Sequence, residues 1–96
     1  MTIELEVGKE LAITLKSNPT TGYRWRRAKP WDEAILELLR VEFTGPETDL
    51  VGAGGEETWS FAAMRQGKAV VALEYVHPWE KNGLAAETRT FTAVVH

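Results

Sequence analysis

Hydrophobic and polar residues alternate along most of the chain. A period of two is typical of β-strands that bury one face and expose the other. The alternating hydrophobic positions are Ile3, Leu5 and Val7; Leu11, Ile13 and Leu15; Tyr23 and Trp25; Trp59, Phe61 and Ala63; Ala69, Val71, Leu73 and Tyr75; and Phe91, Ala93 and Val95. Segments rich in glycine, proline and polar residues separate these sets, at residues 17–22, 45–55, 66–67 and 77–83. The pattern therefore predicts a succession of short strands.

The segment DEAILELLRVEF, which begins at Asp32, fits two patterns. Its hydrophobic residues could form one face of a short amphipathic helix, made of Ile35, Leu38, Leu39 and Val41. They also alternate as in a strand, through Leu39, Val41 and Phe43. We favour a turn followed by a strand.

Seven or eight such strands in 96 residues predict an all-β fold, an immunoglobulin-like β-sandwich with a single domain over residues 1–96. The composition, 44% hydrophobic and 26% charged, is that of an ordinary globular protein. The chain contains no cysteine, which excludes disulfides, thiolate metal sites and a cysteine nucleophile. The core must therefore be stabilised by apolar burial alone.

The net charge of −3 argues against nucleic acid as a partner. No apolar run approaches the roughly 20 residues that span a bilayer, so we expect no membrane partner. The first residues, MTIELEVGKE, contain no signal peptide, so we expect a cytoplasmic protein or a trimmed form of an exported one. We expect a monomer when no partner is bound.

Catalysis finds little support in the residues. Serines, aspartates and His77 could be combined into a triad, but no G-x-S-x-G context surrounds a serine. The only other histidine is the terminal His96, which makes a metal site improbable. The stretch GAGGEE resembles a phosphate-binding loop but lacks the following Gly-Lys-Ser/Thr, and its glutamates would repel phosphate. We therefore predict no enzyme activity, no cofactor and no metal.

The stretch YRWRRAK, residues 23–29, interleaves aromatic residues with arginines as single-strand nucleic-acid binders do. On a strand, however, Tyr23 and Trp25 point to one face and Arg24 and Arg26 to the other. We favour a core role for the aromatic residues and solvent exposure for the arginines.

Unusual residues are concentrated in three loops: NPTTGY (residues 18–23, the first loop), DLVGAGG (residues 49–55, the second loop) and HPWEKNG (residues 77–83, the third loop). Each could be only a connection between strands: a well-made turn, a glycine-rich link, and a tryptophan folded over the core. In an immunoglobulin-type sandwich, however, the B–C, D–E and F–G connections emerge at the same end. The three loops would then lie together, which favours a binding surface.

The chain resembles the chagasin-type inhibitors of papain-like cysteine proteases. The family signatures are an NPTTGY/F loop, a GxGG loop followed by an aromatic residue, and an RPW loop. They correspond here to residues 18–23, to residues 52–55 followed by Trp59, and to residues 77–79, in the same order and over nearly the whole chain. The departure is His77, where the family typically has arginine.

The resemblance implies a reversible, tight-binding inhibitor whose three loops enter the protease cleft as a wedge. Thr20 would lie at its tip, where only a small side chain reaches the catalytic residues; the second loop would offer Leu50 or Val51 to a specificity pocket, and Trp79 would anchor the third. The residues implied in protease binding are Asn18, Pro19, Thr20, Thr21, Gly22, Tyr23, Leu50, Val51, Gly52, Ala53, Gly54, Gly55, His77, Pro78 and Trp79. The alternative is an adhesion or assembly module that uses the same loops on another partner.

Overall fold

A computed structural model describes residues 1–17, 22–45, 55–77 and 85–96. Within these ranges the secondary structure consists of seven β-strands, and no helix is present. The strands are β1 (Thr2–Leu5), β2 (Glu10–Ser17), β3 (Arg24–Arg27), β4 (Leu36–Thr44), β5 (Gly55–Ala63), β6 (Gly67–Val76) and β7 (Glu87–Val95).

The strands form two sheets. One has four strands in the order β1-β7-β6-β3, and the other has three in the order β2-β5-β4. All pairs are antiparallel except β1 with β7, which is parallel. With the strands lettered A to G in chain order, the sheets are A-G-F-C and B-E-D. This is the division of an immunoglobulin-type sandwich, except that its first strand pairs with the last. The predicted all-β sandwich is confirmed.

The core consists of the inward faces of both sheets. Phe61, near the end of β5, is fully buried, and its ring meets those of Trp31 and Phe91 edge-on, with centroids 5.8 Å apart in each pair. Such edge-to-face pairs add to the stabilisation from buried area. The predicted alternation is confirmed along β5, β6 and β7, whose inward residues supply most of the buried cluster: Trp59, Phe61, Ala69, Val71, Leu73, Phe91 and Ala93.

The predicted alternation is wrong at Val7. Strand β1 ends at Leu5, and the amide of Lys9 donates to the carbonyl of Glu6 across a turn in which Gly8 has a φ of 91°. Val7 lies in this turn and is exposed.

The segment after Asp32 forms a turn and then a strand, as predicted. The side chain of Asp32 accepts a hydrogen bond from the amide of Ala34, and its carbonyl accepts from the amides of Ile35 and Leu36. Trp31 reaches over this turn, and its Nε1 donates to the carbonyl of Leu36 at 2.8 Å. The turn therefore fixes the start of β4.

The burial expected along β4 is only partly correct. The register with β5 shifts between Leu38 and Arg40, so Leu39 is an extra residue in a β-bulge. Leu36, at the start of the strand, is fully buried, whereas Leu39, Val41 and Phe43 are each at least 40% exposed. The bulge removes Leu39 from the inward row, and the inward face beyond it opens toward solvent.

Candidate functional site

In the three-stranded sheet, the register places the ends that carry the first and second loops side by side. Ser17, the last residue of β2, pairs with Gly55, the first residue of β5. Thr44, at the end of β4, pairs with Glu56 on the other side of β5. The first loop therefore leaves this sheet at the point where the second loop begins and ends.

The four-stranded sheet has the corresponding arrangement. Arg24, the first residue of β3, pairs with Val76, the last residue of β6, and Tyr75 pairs with Glu87, where β7 begins. The first loop therefore enters this sheet beside both attachments of the third loop. A hydrogen bond joins the two sheets at this end: Trp25 Nε1 on β3 donates to the carbonyl of Lys16 on β2 at 2.9 Å. The attachments of all three loops thus share one end of the sandwich.

Four of the residues assigned to protease binding lie within the described part of the chain: Gly22, Tyr23, Gly55 and His77. All four lie at this end of the sandwich. The others lie outside the described residues, and their roles remain predictions: Asn18, Pro19, Thr20, Thr21, Leu50, Val51, Gly52, Ala53, Gly54, Pro78 and Trp79.

The chain enters β3 through a glycine and a stack of rings. Gly22 has a φ of 84°, a conformation that favours glycine. The next residue, Tyr23, stacks on His77 with ring centroids 3.8 Å apart, and on Tyr75 at 5.2 Å. Trp25 contacts the ring of Tyr75 at 5.0 Å. The base of the first loop is therefore in direct contact with the start of the third.

The stretch YRWRRAK has the predicted orientation. Trp25 is buried, whereas Arg24 and Arg26 are exposed. Arg26 forms a salt bridge with Glu74 of the neighbouring strand at 2.6 Å, on the outer face of the sheet. The core role is confirmed for Trp25 but not for Tyr23, which is half-buried and lies outside the buried cluster.

The second loop ends at a glycine that has no room for a side chain. A Cβ on Gly55 would lie 2.5 Å from the carbonyl oxygen of Thr44 and 2.7 Å from the ring of Phe43. Both distances are shorter than real Cβ atoms tolerate. The ring of Phe43 lies over the glycine and occupies the space that a side chain would need. Glycine thus permits β4 and β5 to approach closely where the second loop attaches.

A cavity of about 330 Å³ opens between the sheets at the same end. The residues that line it are Ser17, Tyr23, Arg24, Val41, Phe43 and Glu57. Val41 and Phe43 belong to none of the three loop motifs, so they were not predicted at this end. Their spacing of two residues, just before the second loop, is the signal that places them on one face near the loop attachment.

Within the part of the chain that the structure describes, no cluster of three or more histidine, aspartate or glutamate side chains could hold a metal ion. No helix occurs in the described ranges, so they contain no helix that could span a membrane.

These features define a class of protein: an immunoglobulin-like sandwich that carries three loops on one end. Residues 4–95 match the family described as "Chagasin family peptidase inhibitor I42". Chagasin from Trypanosoma cruzi is 34% identical over 94 residues, which cover 95% of this chain and 84% of that protein. The chain belongs to the chagasin family of peptidase inhibitors.

Solved structures agree with this assignment at the level of the fold. The crystal structure of the cysteine protease inhibitor EhICP2 from Entamoeba histolytica has a TM-score of 0.87 and 22% identity, and covers 99% of this chain and 86% of that one. PbICP-C in complex with falcipain-2 has a TM-score of 0.68 and 19% identity, and covers 100% of this chain and 87% of that one.

Proposed function

We propose that this protein, an inhibitor of cysteine proteases and not an enzyme, blocks papain-like enzymes reversibly by inserting its three loops together into the active-site cleft. The observation that carries the proposal is the common position of the loop attachments. Two different sheets present them at one end, and the bond from Trp25 to the Lys16 carbonyl joins those sheets there. The loops can therefore act as one surface.

The residue types of the loops fit a narrow cleft. Thr20 at the tip is small enough to approach the catalytic residues at the floor, and Pro19 and Gly22 shape the turn behind it. Residues 52–55 bring backbone close to one wall, with Leu50 or Val51 in a specificity pocket. Trp79 anchors the opposite side, as large aromatic residues commonly do in interfaces.

The braced loop bases support tight binding. A loop that is ordered before binding loses little conformational entropy when it binds. The stack of Tyr23 on His77, and the close approach of β4 to β5 at Gly55, restrict the bases of all three loops in the unbound protein. The complex of the structurally similar PbICP-C with falcipain-2 supports the choice of partner.

The experiment is a selectivity assay. Papain is titrated with the protein against a small fluorogenic peptide, with trypsin and pepsin as controls of other catalytic classes. We expect inhibition of papain alone, with the inhibitor recovered uncleaved, because a wedge presents no scissile bond in a cleavable position. Active papain at micromolar inhibitor would contradict the proposal and favour the adhesion module. Equal inhibition of trypsin would also contradict the proposal, because a wedge for papain-like clefts should not fit that enzyme.

A further inference from the structure

Tyr23 directly precedes β3 and His77 directly follows β6, and the two residues lie opposite each other at the end of the sandwich where the loops attach. The register of β3 with β6 pairs Trp25 with Tyr75 and Arg24 with Val76. One step further, it places Tyr23 opposite His77. Side chains opposite each other on neighbouring antiparallel strands lie close enough to interact, and here the rings stack at 3.8 Å with an angle of 28° between their planes.

These two rings complete a continuous row. Tyr23 also contacts Tyr75, Tyr75 contacts Trp25, and Trp25 donates its hydrogen bond to the Lys16 carbonyl. The row therefore begins at β2, which leads into the first loop. It passes through Tyr23, which ends that loop, and reaches His77, which begins the third loop. Its inner member, Trp25, is buried, and the outer rings are half-buried.

We propose that Tyr23 and His77 are a coupled positioning pair, which fixes the first and third loops relative to each other before the protease binds. The inference rests on the proposed function and refines it. Both residues carry predicted protease contacts, but their rings cover each other, so each acts on inhibition through the other. Histidine at position 77 is suited to this task because its flat ring can stack on tyrosine.

The pair predicts a specific result in a double-mutant cycle against papain. Tyr23→Leu and His77→Leu each replace a ring by an apolar side chain that cannot stack, so each should raise the inhibition constant by about threefold to tenfold, on the scale of an aromatic pair. The double variant should be no worse than the more affected single variant, because the stack is lost only once. Tyr23→Phe and His77→Phe keep two stacked rings, so each should lose less inhibition than the leucine variant at the same position.

A second measurement uses the unbound protein. Stacked at 3.8 Å, the ring of His77 should shift the ring-proton NMR signals of Tyr23, and His77→Leu should abolish that shift while the signals of Phe91 in the core stay in place. A Tyr23 spectrum that His77→Leu leaves unchanged overturns the pair without reference to any protease.

The outcomes separate this inference from the proposed function. If wild-type protein inhibits papain and the two single effects multiply in the double variant, the residues act independently and the coupling is overturned. The same holds if His77→Phe loses as much inhibition as His77→Leu. Failure of the wild-type protein to inhibit papain sinks the proposed function instead, and the Tyr23 spectrum still decides whether the rings stack.

Discussion

Replacement of Gly55 by alanine tests whether the close approach of β4 and β5 shapes the second loop. The new Cβ would lie 2.5 Å from the Thr44 carbonyl oxygen and 2.7 Å from the Phe43 ring. The ring can rotate away, but the carbonyl belongs to a backbone that pairs with Glu56 and must shift. Overpacking of this kind lowers the stability of the folded protein by about 1–3 kcal/mol. Alanine also restricts the unfolded chain more than glycine does, which offsets about 0.4–1 kcal/mol of that loss.

We therefore expect Gly55→Ala to lower the free energy of unfolding by about 1–2 kcal/mol, and the melting temperature by about 5–15 °C for a domain of this size. The shifted start of β5 should also move the second loop and weaken papain inhibition by about tenfold, which corresponds to about 1.4 kcal/mol. The assay combines thermal unfolding with an inhibition constant measured well below the melting temperature.

The matched control is Gly67→Ala at the opposite end of the sandwich. Gly67 has a φ of 145°, and a Cβ there would lie 2.7 Å from Ile35 Cδ1. This variant should also lose stability, but its inhibition constant should stay that of the wild type. If both alanine variants weaken inhibition equally, or if Gly55→Ala changes neither quantity, the reasoning is refuted.

Three further predictions concern the loops and the bond that joins the sheets. Thr20→Trp should overfill the floor of the cleft and weaken inhibition by about 2 kcal/mol or more with an unchanged melting temperature; unchanged inhibition would show that Thr20 is not at the tip. Gly54→Val should weaken inhibition more than the surface control Lys9→Val, since it adds a branched side chain where backbone approaches the protease; equal inhibition constants would reduce this loop to a linker. Trp25→Phe and Trp31→Phe each leave a backbone carbonyl without its donor and should cost about 1–3 kcal/mol of stability. Only Trp25→Phe, at the loop end, should also weaken inhibition, and equal losses in a papain titration would argue against a special role for that end.

The sequence predicts the sandwich well where alternation is uninterrupted. A packed inner face requires a period of two, and two pairs of residues keep it: Trp59 and Phe61 on β5, and Val71 and Leu73 on β6. All four are buried. The bulge at Leu39 escapes such reasoning, because one extra residue changes the facing of a strand without any local change in hydrophobicity.

The candidate site is predictable as a set of loops but not as a set of contacts. Immunoglobulin order alone brings the three loops to one end, and the strand register bears this out at Ser17, Gly55 and Val76. The stack of Tyr23 on His77 depends on that register, since the two residues belong to separate motifs. Nothing in the local sequence shows that they are opposed.

The most direct test of the central claim is whether the protein needs an open protease cleft. Binding to papain is measured by titration calorimetry twice, once with the open enzyme and once with enzyme whose cleft is filled by a covalently attached peptidyl inhibitor. If the three loops enter the cleft together, the protein binds the open enzyme tightly and loses binding to the filled one. Equal affinity for both forms would place the contact surface elsewhere and contradict the account.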